Sequence, residues 1–495
     1  MLKHLMEECN DAETENGAPS LLTTGSDCLD LFATIGALRY AKEKTIRERF
    51  LRAFAENRDI AMKLLFFARD IREGLGERRV FRVILRYLAE NEADSVRKNL
   101  PFIAEFGRFD DMLCLADTPC EEAMLDYLKE KLSEDLTALR EGRPVSLLGK
   151  WLPSINASST EAVILAKRIA KAFGMSEKEY RKALVSLRAK IRIIENNLRV
   201  RDYTFDYETQ PSKALLRYRR AFLRNDAQRY LDFIHKATRG QTRLHADTLA
   251  PYELIDPYLG YSYSDSCFIR TLKKEEQEVL NATWNSLPDY TTYENALAVI
   301  DTSGSMYCAK SPRPASVALS LGIYFAEHNT GYFKNHFIEF SEHPQLTLLK
   351  GETFYERLQY VASFSEVANT NLEAVFALIL KTALKHNVPQ HELPSKLILI
   401  SDMEFDACIY GAKGTNFENA KRKFEAAGYR LPDIVFWNVA SRGRQQPVRY
   451  NTSGVTLISG CTPSLFQMIS SSQVNTPYEY MMEVLGSERY RSIVA

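Results

Sequence analysis

The chain has 495 residues, 45% of them hydrophobic and 26% charged, so it is too long for one folded core and too apolar for general disorder. Its 64 basic and 64 acidic residues balance, so the overall charge indicates neither a nucleic-acid nor a membrane partner. No stretch approaches the ~20 apolar residues of a membrane-spanning helix, and residues 1–17 lack the apolar centre of a secretory signal.

The N-terminal segment is polar and acidic. Residues 1–30 hold one lysine and seven acidic residues. Because such a composition cannot bury much apolar surface, we predict that residues 1–26 form a flexible acidic arm.

The next segment, residues 27–290, has the periodicity of α-helices. In "ERRVFRVILRYLAEN" the residues Val80, Ile84 and Leu88 recur at i, i+4 and i+8, which places them on one buried face. Ser176 and Glu179 have the spacing of a capping box, which predicts a second helix start. Many amphipathic helices with short connections predict an all-α, HEAT-like stack, which ends in a connector rich in proline and tyrosine over residues 246–290. The sequence leaves open whether this stack closes into a ring.

From residue 291 to residue 470 the pattern changes to buried strands that alternate with helices. "ALAVID", "KLILISD" and "DIVFWNVA" read as continuous apolar strands, and "PASVALSLGIYFAEH" and "NLEAVFALILKTALKH" as helices between them. This alternation predicts a doubly wound, mostly parallel sheet with both faces covered. Residues 471–495 are predicted to form a C-terminal helix.

Oxygen-bearing side chains follow two of these strands. Asp301 ends one strand, Ser303 and Ser305 come directly after it, and Asp402 ends another strand; Thr370 precedes a helix. Because ligands of open α/β sheets bind at the carboxyl ends of strands, we expect these side chains to meet. Hydroxyl and carboxylate oxygens suit Mg²⁺ or Mn²⁺, and so few negative charges leave the ion able to take a carboxylate or phosphate oxygen from outside. Taken alone, "DTSGS" also fits a simple turn between strand and helix.

These residues resemble a known motif. "DTSGS", followed by "TN" and a strand-end aspartate, is similar to the metal-ion-dependent adhesion site (MIDAS) of von Willebrand factor A (vWA) domains, written D-x-S-x-S…T…D. The resemblance covers about 180 residues and implies a Rossmann-like fold with one divalent cation. Its metal ligands would be Asp301, Ser303, Ser305, Thr370 and Asp402. "SDMEFD" departs from the family pattern, because many such domains have a glycine after the aspartate; a direct or a water-mediated role of Asp402 stays open.

The helical segment resembles a second family. "LLFFARDIREGLGERRVFR", "FGRFDDML" and "GKWLPSINASS", placed before such an A domain, are similar to A-domain proteins related to the Ro/TROVE ribonucleoproteins. In Ro-type proteins a ring of HEAT-like helices is closed by the A domain and binds small structured or misfolded RNAs. The resemblance implies this architecture for nearly the whole chain, but it identifies no RNA-contacting residue.

Arginine rows in the helical segment suggest an anionic partner. Residues 181–245 hold sixteen basic residues and six acidic ones, and guanidinium groups bind phosphate in a bidentate manner. Alternatively, each row is an ordinary solvated helix face that pairs with nearby carboxylates. On a helical wheel the candidate nucleic-acid-binding residues lie in three rows: Arg78, Arg82 and Arg86; Arg181, Arg188, Arg192 and Arg199, which fall within about 20° of one line if residues 181–199 form one helix; and Arg217, Arg220 and Arg224.

Together these features predict a non-enzymatic, Ro-like RNA-binding scaffold with a divalent-metal site that docks an acidic partner or a phosphate. The alternative is a metal-dependent protein adaptor, in which a protein ligand supplies Asp or Glu to the metal and RNA plays no part. A metal-dependent nuclease would need further carboxylates, and only Glu404 and Asp406 are candidates. We find no phosphate loop, zinc-protease motif or nucleophile elbow. Eight scattered cysteines without a CxxC pair favour the reducing cytoplasm.

Overall fold

The computed structural model contains a helical region followed by an α/β domain, which confirms the predicted fold class. Among the residues that it describes, no helix is both long and apolar enough to cross a bilayer. The structure describes residues 9–262, 266–291, 295–307, 311–340, 343–364, 371–406, 415–472 and 475–495.

The helical region is built from amphipathic helices that pack on their chain neighbours. Phe66 illustrates the core, because its ring meets Phe81 and Phe106 edge-on at centroid distances of 5.5 and 5.4 Å. The described helices of this region are α1 (Asp27–Phe32), α2 (Glu43–Glu56), α3 (Arg58–Arg69), α4 (Arg78–Asn91), α5 (Ala93–Phe106), α6 (Glu121–Arg140), α7 (Leu148–Trp151), α8 (Thr160–Ala172), α9 (Glu177–Ile191), α10 (Ile194–Arg199), α11 (Ser212–Asn225) and α12 (Ala227–Thr238).

One helix prediction was right at its start and wrong at its end. Ser176 accepts a hydrogen bond from the Glu179 amide, and the Glu179 carboxylate accepts one from the Ser176 amide, so the predicted capping box starts α9. However, the helix stops at Ile191, because Arg192 adopts a left-handed conformation with φ of 55°. The row of arginines from Arg181 to Arg199 is therefore divided between two helices.

Residues 246–290 contain more regular structure than the predicted connector. A short helix α13 (Tyr252–Ile255) is followed by an antiparallel hairpin of β3 (Leu259–Ser262) and β4 (Ser266–Ile269), and then by α14 (Lys274–Asn285). In α14 the Trp284 ring stacks on Phe354 of the α/β domain at 3.7 Å. The segment therefore attaches the end of the helical region to the α/β domain.

The described strands of the α/β domain are β5 (Ala296–Ile300), β6 (His336–Glu339), β7 (Leu346–Leu348), β8 (Lys396–Ser401), β9 (Asp433–Asn438) and β10 (Val455–Ser459). They form one six-stranded sheet in the order β10-β9-β8-β5-β6-β7, in which only β7 is antiparallel to its neighbour. The chain leaves β5 towards β6 but leaves β8 towards β9, so right-handed crossovers place helices on both faces of the sheet. The described helices of this domain are α15 (Pro314–His328), α16 (Phe354–Ala362), α17 (Leu372–His386), α18 (Asn416–Ala426), α19 (Ser464–Ser471) and α20 (Pro477–Leu485).

The first helices also rest on the α/β domain, as α14 does at the end of the helical region. At the start, the Gly36 amide donates to Ser459 Oγ at 3.0 Å at the end of β10. The C-terminal residues beyond α20 return to the first helices, where Arg489 pairs with buried Asp70 at 2.8 Å. A large hydrophobic core runs through both regions, and a second, separate cluster lies among α10, α11, α12 and α14. The first helices and α14, at the two ends of the helical region, therefore both contact the α/β domain. The α/β domain thus closes the helical stack into a ring, which the sequence left open.

Residues 9–26 are folded against the α/β domain, which differs from the predicted flexible arm. Strands β1 (Asp11–Glu13) and β2 (Pro19–Leu21) form an antiparallel hairpin, which we call the N-terminal hairpin (residues 11–21). Leu21 and Gln446 exchange backbone hydrogen bonds of 3.0 and 2.7 Å. Because these partners lie more than 400 residues away in the chain, local composition gives no sign of this pairing.

Candidate metal site

The candidate site lies where the sheet reverses its strand order. Asp301 follows β5 and Asp402 follows β8, and these two strands are parallel neighbours. The crevice at the carboxyl ends of two such strands is the usual ligand site of doubly wound sheets. Four of the five predicted metal ligands, namely Asp301, Ser303, Ser305 and Asp402, meet at this edge; the fifth, Thr370, lies outside the described residues.

Hydrogen bonds link the four residues to one another. Ser303 Oγ lies 3.0 Å from Ser305 Oγ, which in turn donates to Asp402 Oδ2 at 2.9 Å. The Asp301 carboxylate accepts from the Ser303 amide at 2.9 Å and from Ser401 Oγ at 2.6 Å. The hydroxyl of Ser401 was not among the predicted site residues, although its place one residue before Asp402 puts it beside β5.

Both carboxylates are almost fully buried, with exposed fractions of 0% for Asp301 and 2% for Asp402. Burial, and secondly the negative charge of Asp402, raises the pKa of Asp301 to about 6. Burial also raises the pKa of Asp402, although the nearby Arg442 guanidinium opposes the rise. Two buried carboxylates this close therefore favour a bound cation, which would neutralise both of them.

The donor set fits a hard divalent cation. Two carboxylates and two hydroxyls supply only oxygen, as Mg²⁺ and Mn²⁺ prefer, and leave coordination positions for water or an outside ligand. Within the described part of the chain, no three His, Cys, Asp or Glu side chains group as a metal site. A cation here would therefore depend on the hydroxyls of Ser303 and Ser305 as well as on the two aspartates.

Several polar residues that were not predicted to belong to the site also surround it. Arg442 follows β9, the next strand of the same edge, and its Nη2 lies 3.3 Å from Asp402 Oδ2. Glu404 is 2% exposed, and its carboxylate accepts hydrogen bonds from Gln445 Nε2 and from the Glu15 amide. The position of Arg442 just after a parallel strand could have indicated that it lies at the site. Nothing in the sequence around Glu15 indicated that it lies there.

The ten candidate nucleic-acid-binding arginines fall into two groups. Four are engaged with other protein atoms: Arg82 pairs with Asp110 and Asp111, Arg86 with Glu90, Arg220 with Glu276, and Arg188 donates to backbone oxygens of Gly149 and Leu152. The other six are exposed and form no ion pair with any described carboxylate: Arg78, Arg181, Arg192, Arg199, Arg217 and Arg224. Five of these six lie on or directly beside α9, α10 and α11.

Comparison with known proteins gives two matches to protein families. Residues 14–115 and 123–292 match the domain of unknown function DUF2828, and residues 295–489 match the domain of unknown function DUF7788. Neither description names a vWA domain or a metal, so the MIDAS assignment stays a prediction from motif and geometry.

Similar individual proteins were found by sequence and by structure. The uncharacterized protein L728 of Acanthamoeba polyphaga mimivirus is 27% identical over 513 residues, which cover 95% of this chain and 86% of that protein. The crystal structure of the Ro (RSR) protein of Deinococcus radiodurans superposes with a TM-score of 0.49 and 14% identity over 94% of this chain and 100% of that chain. Because the first family match spans more than half of the chain, the protein belongs to the family described as the domain of unknown function DUF2828.

Proposed function

We propose that this protein is a non-enzymatic, cytoplasmic RNA-binding scaffold whose α/β domain holds Mg²⁺ or Mn²⁺ and docks an acidic partner or a phosphate. The observation that carries the RNA-binding part is the group of exposed arginines on α9, α10 and α11 that have no carboxylate partner among the described residues. An arginine that is already paired gains little from a phosphate, whereas an unpaired one gains a charge-assisted, bidentate contact. The favoured ligand is a small structured or misfolded RNA, as the Ro-like motifs imply.

The metal part of the proposal is supported by the oxygen cluster at the sheet edge. Asp301, Ser303, Ser305 and Asp402 would hold the cation, and Thr370 is proposed as a further ligand on the motif alone. A cation held by only two carboxylates supplies an electrophilic position for an outside carboxylate or phosphate oxygen. The surrounding side chains orient the site: Ser401 fixes the Asp301 carboxylate, and Ser305 fixes that of Asp402.

The RNA-binding part is tested by titration with structured RNA at several salt concentrations. The triple variant Arg181→Gln, Arg192→Gln, Arg199→Gln is expected to bind more weakly. The magnitude of its salt slope should fall by about 2–3, since each lost phosphate contact removes about 0.7–0.9. A matched control replaces three exposed arginines elsewhere in the chain, namely Arg58, Arg430 and Arg491. Wild-type binding that does not weaken with salt, or an equal loss in both triple variants, would refute the proposal.

The second candidate is a metal-dependent protein adaptor without RNA. It is favoured by the four predicted arginines that contact other protein atoms, because those residues cannot serve an RNA without first giving up their partners. Pull-down experiments with EDTA or with nuclease separate the two functions. Partners that are lost in EDTA but resist nuclease would support the adaptor, and partners lost with nuclease would support the scaffold.

A further inference from the structure

Arg442 lies directly on the candidate metal site. Its Nη2 donates to the backbone oxygen of Ser305 at 2.6 Å and lies 3.3 Å from Asp402 Oδ2. The Asp402 side chain is 1% exposed and that of Arg442 is 34% exposed, so the guanidinium reaches inward from the surface. Arg442 thus contacts two of the residues that are predicted to hold the cation.

The same guanidinium also reaches the N-terminal hairpin. Arg442 Nη1 lies 3.6 Å from Glu15 Oε2, in the turn of the hairpin. This turn is fixed by the strand-end segment after Asp402: the Glu15 amide donates to the Glu404 carboxylate at 2.8 Å, and Asn16 Nδ2 donates to the Glu404 backbone oxygen at 2.7 Å. Arg442 therefore links the hairpin turn to Asp402.

A guanidinium and a metal ion on the same carboxylate oxygen bring their positive charges within a few ångströms of each other. Ser305 Oγ also donates to Asp402 Oδ2, so a cation that ligates both residues approaches the point where Arg442 Nη2 lies. Two positive charges at that distance in a largely buried site repel each other strongly. The nearby Glu404 carboxylate accepts hydrogen bonds from the side-chain amide of Gln445, which is neutral. Gln445 therefore adds no positive charge to the site.

We propose that Arg442 and a divalent cation compete for Asp402, so that cation binding moves Arg442 away and breaks its ion pair with Glu15. This inference rests on the proposed metal site and adds its regulation. Arg442 is a positioning residue, which balances the charge of Asp402 and holds the hairpin turn over this sheet edge until a cation replaces it. Occupation of the site thereby removes one of the contacts that hold the turn of the N-terminal hairpin beside it.

The test is the affinity for Mn²⁺ of the full-length chain, measured by calorimetry and by the EPR signal of free Mn²⁺. Arg442→Gln is expected to bind Mn²⁺ about 10- to 100-fold more tightly than wild type, because the competing charge is gone. Arg442→Lys keeps the charge and should remain within about 3-fold of wild type. Arg444→Gln is the matched control, since Arg444 lies in the same loop but pairs with Glu48 at 3.5 Å.

Hydrogen exchange gives a second readout that is independent of affinity. Saturating Mn²⁺ should speed amide exchange in peptides that cover residues 11–21 of the wild type, while strand β10 stays unchanged. In Arg442→Gln the hairpin should exchange at the faster rate with or without Mn²⁺. An unchanged hairpin in the wild type would overturn the link between the site and the hairpin.

The outcomes separate this inference from the proposed function. If wild type binds Mn²⁺ and Arg442→Gln binds equally or more weakly, competition is refuted while the metal site stands. Binding by Arg442→Gln but not by wild type supports competition. If neither variant binds, the proposed metal site and this inference both fail.

Discussion

Replacing Asp301 with asparagine tests the electrostatics of the candidate site. The side chain is completely buried, and its pKa is raised to about 6, mainly by burial and secondly by the charge of Asp402. Asparagine has nearly the same shape and carries no charge. We therefore expect Asp301→Asn to be more stable than wild type in EDTA at neutral pH.

The size of this effect follows from the pKa. A rise from 3.8 to about 6 makes the ionised, folded form less favourable by about 3 kcal/mol. The folded protein binds the proton more tightly than the unfolded chain does, so this penalty is complete above pH 6 and disappears as the pH falls towards 4. The hydrogen bond from Ser401 lowers the pKa of Asp301 and is therefore already part of this net penalty. The expected gain in the free energy of unfolding is therefore up to about 3 kcal/mol above pH 7, and it falls to near zero towards pH 4.

Calorimetric unfolding above pH 7 and below pH 5, with EDTA or Mg²⁺, measures this prediction. Mg²⁺ at 100 times its Kd should stabilise wild type by about 2.7 kcal/mol and leave Asp301→Asn unchanged. Asp433→Asn is the control, because Asp433 lies at the other end of the sheet and its 42% exposed side chain pairs with Arg430 on the surface. A less stable Asp301→Asn above pH 7 in EDTA, or equal stabilisation of both proteins by Mg²⁺, would refute the reasoning.

Two further predictions concern the contacts that close the helical stack. Arg489→Gln leaves the buried Asp70 carboxylate without its cation, which should lower the free energy of unfolding by about 3–5 kcal/mol. Arg491→Gln, on an exposed side chain two residues away, should change the free energy of unfolding by less than about 0.5 kcal/mol. Equal effects of the two variants in thermal unfolding would contradict the role of the buried pair. In Gly36→Ala the new Cβ would lie 2.6 Å from the backbone oxygen of Ser459, so the first helices must shift from β10. Limited proteolysis checks whether the first helices move away from β10, because their loosened contact should be cleaved faster. An unchanged cleavage rate would show that the contact tolerates a methyl group.

The sequence predicted elements whose causes are local. Ser176 and Glu179 are three residues apart, so their capping box needs no distant partner. The continuous apolar strands around Asp301 and Asp402 predicted the parallel sheet, and the rule that strand ends share an edge predicted that these aspartates would meet. For the same reason Ser303 and Ser305 could be placed before the structure was known.

Local patterns failed where one residue or a distant partner decided the outcome. The helical wheel over residues 181–199 assumed a continuous helix, but the left-handed backbone of Arg192 breaks it, and a side-chain pattern does not report φ. The acidic composition of residues 1–26 indicated an arm, because it does not show that Leu21 finds backbone partners at Gln446. The sequence likewise showed where the arginines are, but not which of them form ion pairs with carboxylates elsewhere in the chain.

The sequence by itself determined the fold class and the identity of the oxygen atoms offered at one sheet edge, because strand periodicity and short motifs are encoded by neighbouring residues. Only the tertiary structure decided that Arg442 and the N-terminal hairpin lie against Asp402, and which arginines remain exposed and unpaired among the described residues. Those features depend on contacts between residues hundreds of positions apart, whose geometry is fixed by packing of the whole chain.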